Sequence, residues 1–234
     1  MLTAPMSSAE TQIRVNEFIR SVYNWMAIGL GLTGVVALCV SNSEYLTRLI
    51  FQNQLLFFAL IIGELVLVFS IGARVHKMQA STATGLFLLY AGLNGATLSF
   101  VFLVYTKTSI TSVFFICAAT FIACSIYGMT TKRDLTSVGG FMMMGLIGII
   151  IASVVNIFVR STQMSLIISY IGVLVFVGLT AYDTQKLKTM ALSVPGGSEE
   201  GMVRKNAILG ALALYLDFIN LFLMLLRIFG SQRD

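Results

Sequence analysis

The sequence is short of charge. Of its 234 residues only 11% are Asp, Glu, Lys or Arg, against roughly a quarter in an ordinary soluble domain. So few charges cannot cover the surface of a water-soluble globule. Proline is nearly missing, with two residues, which excludes collagen-like and proline-rich disordered chains. The single histidine, His76, sits between Arg74 and Lys77 in a basic stretch. It offers no Ser-His-Asp arrangement, and no metal-hydrolase spacing occurs, so the sequence reads as that of a non-enzyme without a bound cofactor. The three cysteines, Cys39, Cys117 and Cys124, all fall in apolar runs. Cys117 and Cys124 stand two turns apart on one helix and cannot pair, so the thiols read as small packing groups.

What the chain has instead is apolar length: 57% of it is hydrophobic and its mean hydropathy is +0.91. A spanning helix needs about 20 mostly apolar residues. Seven such runs occur: Tyr23–Ser41, Leu55–Ala73, Thr82–Tyr105, Ser109–Met129, Val138–Val159, Met164–Tyr182 and Ala207–Phe229. They are continuously apolar rather than alternating, which disfavours a β-barrel. The expected class is an all-α integral membrane protein of seven transmembrane helices. Residues 1–22 form an N-terminal tail, 23–230 the membrane domain and 231–234 a C-terminal tail. Neither Pro5 nor Pro195 lies in a span. The polar N-terminal stretch has no apolar core of a cleavable signal, so the first span is expected to act as a signal anchor.

The net charge of +5 is a matter of topology rather than of nucleic-acid binding. Ten of the 15 basic residues fall in the N-terminal segment and the even-numbered loops, and five fall on the other side. That bias predicts a cytoplasmic N-terminus and, with seven spans, a C-terminus outside. Ser193–Gly201, with Pro195, Gly196 and Gly197, reads as a flexible cytoplasmic linker. Glycines recur within the spans (Gly29, Gly31, Gly34, Gly92, Gly95, Gly145, Gly148 and Gly210), a pattern that suits close helix approach in lipid. Met142–Met144 reads as adaptable packing.

Chemistry is expected where charge occupies the membrane. A carboxylate at the bilayer centre costs about 2.5–3.5 kcal/mol on insertion scales, so such residues face the protein interior and usually serve a function. Glu64 and Asp217 lie mid-span, and Asp183 lies at the cytoplasmic end of the sixth run, with Lys186 one turn on. Each has a plainer reading: Glu64 as a single structural hydrogen bond, Asp183 as the partner of Lys186. Asn220, one turn from Asp217, is placed to bond whatever Asp217 binds. Asn94 and Asn156 are candidates for polar glue between helices. As straight spans, Asp183 and Asp217 differ in depth by roughly 10–15 Å.

The runs Gly178-Leu179-Thr180-Ala181-Tyr182-Asp183-Thr184-Gln185-Lys186-Leu187-Lys188 and Tyr215-Leu216-Asp217-Phe218-Ile219-Asn220-Leu221 resemble the last two helices of the transmembrane Bax inhibitor motif family. Met129-Thr130-Thr131-Lys132-Arg133-Asp134-Leu135 is similar to its bacterial branch. The similarity runs from about Val22 onward. Gly95 is followed by Ala96 where the longer family signature has glycine-proline. The resemblance implies a central C-terminal helix wrapped by the other six, in a bacterial inner membrane. It also implies a pH-sensitive calcium leak governed by an aspartate pair, here Asp183 and Asp217, with a second-helix glutamate matching Glu64. Arg74 is the nearest candidate for the arginine that latches the sixth-helix aspartate.

Calcium is the expected permeant ion, because a hard cation wants the oxygens that Asp217, Asp183, Glu64 and Asn220 offer. Any calcium on Asp183 and Asp217 would be transient. Two neighbouring carboxylates would titrate as a pair. The alternative function is a membrane regulator that binds a membrane protease or quality-control complex through the N-terminal tail or a lipid-facing helix. A proton-coupled transporter is disfavoured because no inverted repeat is visible.

Overall fold

The computed structural model describes residues 8–193 and 200–233. Pro5 and the expected linker through Pro195, Gly196 and Gly197 lie outside the described residues. Nine helices account for nearly all of the described chain: α1 (Ser8–Ser41), α2 (Glu44–Phe51), α3 (Gln54–Arg74), α4 (Ala80–Leu98), α5 (Phe100–Val104), α6 (Lys107–Thr130), α7 (Thr136–Val159), α8 (Thr162–Ser193) and α9 (Glu200–Phe229). A 3-10 turn, Val75–Lys77, follows α3. Seven stretches are long and apolar enough to cross a membrane, and they coincide in order and number with the expected spans. The protein is an integral membrane protein.

The boundaries differ where polar residues interrupt an apolar run. The first span begins at Gln12 rather than Tyr23, and the sixth continues to Leu192 rather than stopping at Tyr182. The residues read as an N-terminal tail are therefore helical from Ser8. Val15, Phe18, Ile19, Val22 and Met26 of α1 are buried, an i, i+3, i+4, i+7 stripe that fixes the amphipathic start of the helix. The loop after the first span also contains a short helix, α2. Ser43 caps it by accepting from the Leu46 amide at 3.4 Å, and Arg48 reaches back to Glu44 at 2.5 Å. The third span is broken without proline. The Ser99 hydroxyl donates to the Ala96 carbonyl at 2.7 Å, and its amide turns to the same oxygen. That three-residue closure separates α5 from α4.

The chain forms two compact units, one of residues 1–100 with 187–213 and one of residues 101–186 with 214–234. In the first, α1 and α4 meet at Gly95, where a Cβ would lie 2.6 Å from the Thr33 carbonyl oxygen. The approach also lets the Thr33 hydroxyl bond the Ala91 carbonyl at 2.9 Å. In the same unit Arg204 lies over the Trp25 ring at 5.3 Å, and Lys205 donates to the His76 carbonyl. In the second unit, Val113, Cys117, Phe121 and Ser125 form a buried stripe on α6. Phe114 and Phe121 hold the Phe218 ring edge-on at 5.6 and 5.4 Å.

Burial grades the spans. Of the most apolar stretch of each, 61% is buried in the last span and only 6% in the second and fifth. The last span is thus the most enclosed, which suits the central place implied for it, while α3 and α7 present most of their surface outward. The glycine pattern is only partly a packing code. Gly95, Gly145 and Gly210 are closely approached, whereas Gly31, Gly34, Gly92 and Gly148 have nothing within 4 Å of a built Cβ. Cys39 is exposed rather than packed. Met142 packs on Gly178, while Met143 and Met144 are exposed.

Candidate functional site

Asp217 sits twelve residues from the nearer end of α9, about 18 Å along the axis. It is 5% exposed, and Leu214, Tyr215, Phe218 and Leu221 around it are buried. Its Oδ2 atom has no hydrogen-bond partner among the described residues. A carboxylate oxygen enclosed in this way is costly as a bare anion.

Asp183 is better placed to meet it than the sequence indicated. Because α8 runs on to Ser193, Asp183 lies ten residues inside the helix and not at its edge. Gly172 of α8 packs on Met224 of α9. In that antiparallel register Asp183 stands opposite residue 213, only four residues, about 6 Å, from the level of Asp217. The expected depth difference of 10–15 Å is therefore too large, and it came from ending the sixth span at Tyr182.

The rotation of α8 is fixed on both sides of Asp183. Gly128 of α6 lets the helix approach to the backbone of Ala181, and Gly139 of α7 receives the Tyr182 ring. The Thr184 hydroxyl lies 3.5 Å from that of Ser125. The Gln185 amide donates to the Arg133 carbonyl at 2.8 Å, and its oxygen accepts from the Leu135 amide at 2.8 Å. The loop it holds is capped by Asp134, which accepts from the Thr136 amide and hydroxyl. Those bonds hold the Asp134 carboxyl below its ordinary value. The cap is accordingly present above the usual carboxylate range and lost as pH falls through the lowered value. None of Gly128, Gly139 and Ser125 stood out in the sequence, and Gln185 did so only as part of the family-like run, since each is a common residue whose role depends on a distant partner.

Glu64 belongs to the first unit. Its Oε1 accepts from the Thr97 hydroxyl at 2.8 Å and its Oε2 from the Asn94 amide at 3.3 Å. Asn94 thus acts as the polar glue expected of it. Thr97, three residues on and on the same face of α4, is the partner that sequence reasoning missed. Glu64→Gln keeps one acceptor and the size of the side chain but removes the charge. The expected result is a folded protein with altered calcium flux in liposomes; unchanged flux over a broad pH range would leave Glu64 a structural residue.

The remaining candidates are placed as follows. The Asn220 Nδ2 donates to the Leu216 carbonyl of its own helix at 2.8 Å, a bond that leaves its Oδ1 acceptor unused. Asn156 ties the α7–α8 turn, donating to the Ser165 hydroxyl at 2.9 Å and accepting from the Ser161 amide. Arg74 ends α3, is exposed, and lies in the first unit, whereas Asp183 lies in the second. Among the described residues no group of three or more His, Cys, Asp or Glu side chains is assembled for a metal.

Comparison with known proteins places this arrangement. The profile of the family described as "Inhibitor of apoptosis-promoting Bax1" matches residues 15–234. The chain is 49% identical over 231 residues to the inner membrane protein YbhL of Escherichia coli, with 98% of each chain covered. It is 47% identical to an uncharacterised protein of Rickettsia prowazekii, covering 94% of this chain and 92% of that one. It is 44% identical to an uncharacterised protein of Borreliella burgdorferi, covering 94% of each.

Proposed function

This chain belongs to the Bax inhibitor-1 family, and we propose that it works there as a pH-sensitive cation leak gated by Asp183 and Asp217, with calcium as its physiological ion. The observation that carries the reading is Asp217, enclosed on the most buried span with one carboxylate oxygen unpartnered among the described residues. Both Glu64 oxygens accept from protein donors, whereas Asp217 leaves one open. One left open beside a second carboxylate is suited to exchange a proton for a cation. Hard oxygen ligands favour calcium over soft metals. Two carboxylates alone bind it weakly, as a permeant ion requires: binding must be favourable enough for entry and weak enough for release.

Protonation would couple to conduction in two ways. It removes pore charge, and it changes the attraction and repulsion that α8 and α9 feel at the level of the pair. The experiment is calcium entry into liposomes that hold only the purified protein, compared with protein-free liposomes. Entry above the control supports a conduit. A protein that is folded and inserted but passes no calcium would instead favour the regulator of a membrane protease or quality-control complex.

The location proposed is a bacterial inner membrane, in line with the name of the Escherichia coli relative. The distribution of Lys and Arg puts the N-terminus in the cytoplasm and the C-terminus outside. A reporter fused after Asp234 should be active only if it is of the type that works after export. Activity of a cytoplasm-only reporter at that position would reverse the orientation.

A further inference from the structure

The first unit contains a cavity that the carboxylate sites do not use. It measures about 170 Å³ and is lined by Arg14, Glu17 and Phe18 of α1, Ala191 of α8 and Val203 of α9. Pockets for drug-sized ligands run to about 300–1,000 Å³, so this one has room for a headgroup-sized fragment. Its place in the fold follows from the helices that form it. Arg14 is near the start of the first span, which begins at Gln12; Ala191 is near the end of the sixth, which closes at Leu192; Val203 is near the start of the seventh, which begins at Glu200. All three lining segments thus lie toward the ends of helices that are long and apolar enough to cross a membrane.

The lining has two opposite charges and apolar walls. Arg14 and Glu17 are three residues apart, so both lie on one face of α1 with Cβ atoms about 5–6 Å apart. A guanidinium matches a phosphate with two parallel hydrogen bonds. Its five donors let Arg14 take a phosphate while keeping an interaction within the protein. A carboxylate accepts from an ammonium group, which brings three donors. Phe18, Ala191 and Val203 supply the walls. Each contributing helix also carries an exposed apolar side chain next to its lining residue: Ile13 at 57%, Leu192 at 56% and Met202 at 46%. The neighbouring cations are committed elsewhere in the unit, Arg204 to Trp25 and Lys205 to the His76 carbonyl.

The geometry points to this cavity as the binding site of one phosphatidylethanolamine molecule, its phosphate on Arg14, its ammonium on Glu17 and its acyl chains along Ile13, Leu192 and Met202. Phosphatidylglycerol satisfies Arg14 but brings no cation to Glu17. Phosphatidylcholine brings a cation with no hydrogen to donate. The pairing of a basic with an acidic group therefore selects for a primary ammonium, and the position at the ends of three spans selects for a lipid over a soluble ion.

The test is native mass spectrometry of the full-length, delipidated protein titrated with each of these three lipids and with glycerophosphoethanolamine. Phosphatidylethanolamine should be retained about fivefold or more over the other two lipids, the discrimination expected of one charge-assisted hydrogen-bonded contact. Arg14→Gln and Glu17→Gln should each bring its retention down to the level of the others, while Arg20→Gln, which removes a nearby charge outside the cavity, should not. Thermal unfolding identifies any variant that fails to fold. Glu17 is exposed, so Glu17→Gln carries the test if Arg14→Gln does not fold. Equal retention of phosphatidylethanolamine and phosphatidylglycerol, or retention indifferent to both substitutions, would overturn the assignment. Displacement of the lipid by an equal concentration of glycerophosphoethanolamine would also overturn it, because the site would then serve a soluble headgroup.

Discussion

Asp183→Asn and Asp217→Asn are each expected to flatten the pH dependence of calcium flux, and the double variant should behave like either single one. The expectation rests on the two carboxylates acting as a pair. Asp217 is enclosed with an unpartnered oxygen, and Asp183 lies about one turn from its level along the antiparallel helices. Coupled groups lose and gain protons in steps that belong to the pair, so either asparagine removes the step. If protonation biases the open–closed equilibrium by about 1.4 kcal/mol, wild-type flux changes by about tenfold across the titration, whereas flux through each variant should vary by less than about twofold. The approach of α8 and α9 is held by glycine contacts rather than by the aspartates, so both variants should fold. Two independent, additive effects would show that the residues do not act together.

The second large effect is expected at Gly128. A Cβ there would overlap the carbonyl group of Ala181 on α8 and lie 3.1 Å from the Thr184 Cβ. The atoms in the way are mostly backbone, so no side chain can rotate aside. Overpacking a fitted interior costs about 1–3 kcal/mol and sometimes more, and a larger side chain must push α6 away from the segment that carries Asp183. Gly128→Leu should therefore abolish recovery of monodisperse protein in detergent. Gly148→Leu is the matched control, because Gly148 has nothing within 4 Å; its unfolding temperature should stay close to that of the wild type. A normally stable Gly128→Leu protein would contradict the close packing of α6 on α8.

The number and order of spans were legible because a bilayer imposes one requirement on every crossing segment, apolar length with internally satisfied backbone. The intramembrane acids were legible for the same reason in reverse, since Glu64 and Asp217 stand out against the apolar runs that hold them. Helix ends were not. The polar stretches Asp183–Lys188 and Gln12–Val22 end an apolar run without ending a helix, because α-helical backbone bonds are indifferent to side-chain polarity once the helix is nucleated. That one ambiguity moved Asp183 to the membrane edge and produced the apparent mismatch in depth. Partners were the least legible feature. Thr97 beneath Glu64 and Gln185 on the 131–135 loop are set by contacts 33 and about 50 residues apart in the chain, and no local pattern marks them. Glycine content alone is a poor guide to packing: Gly31, Gly34, Gly92 and Gly148 are open, while Gly128, Gly139 and Gly172, which no small-residue pattern marked, are each pressed against a neighbour.

The most direct measurement of the account is a pH jump on calcium-loaded liposomes that hold wild-type protein or the Asp183→Asn/Asp217→Asn double variant, with the residual calcium followed by an enclosed dye. The account predicts that the wild-type leak rate changes promptly when the pH is stepped between about 5 and 8, the range reachable by buried carboxyls, and that the double variant leaks at one rate on both sides of the step. A leak that responds equally in both proteins, or a wild-type protein that leaks no faster than empty liposomes at any pH, would contradict it.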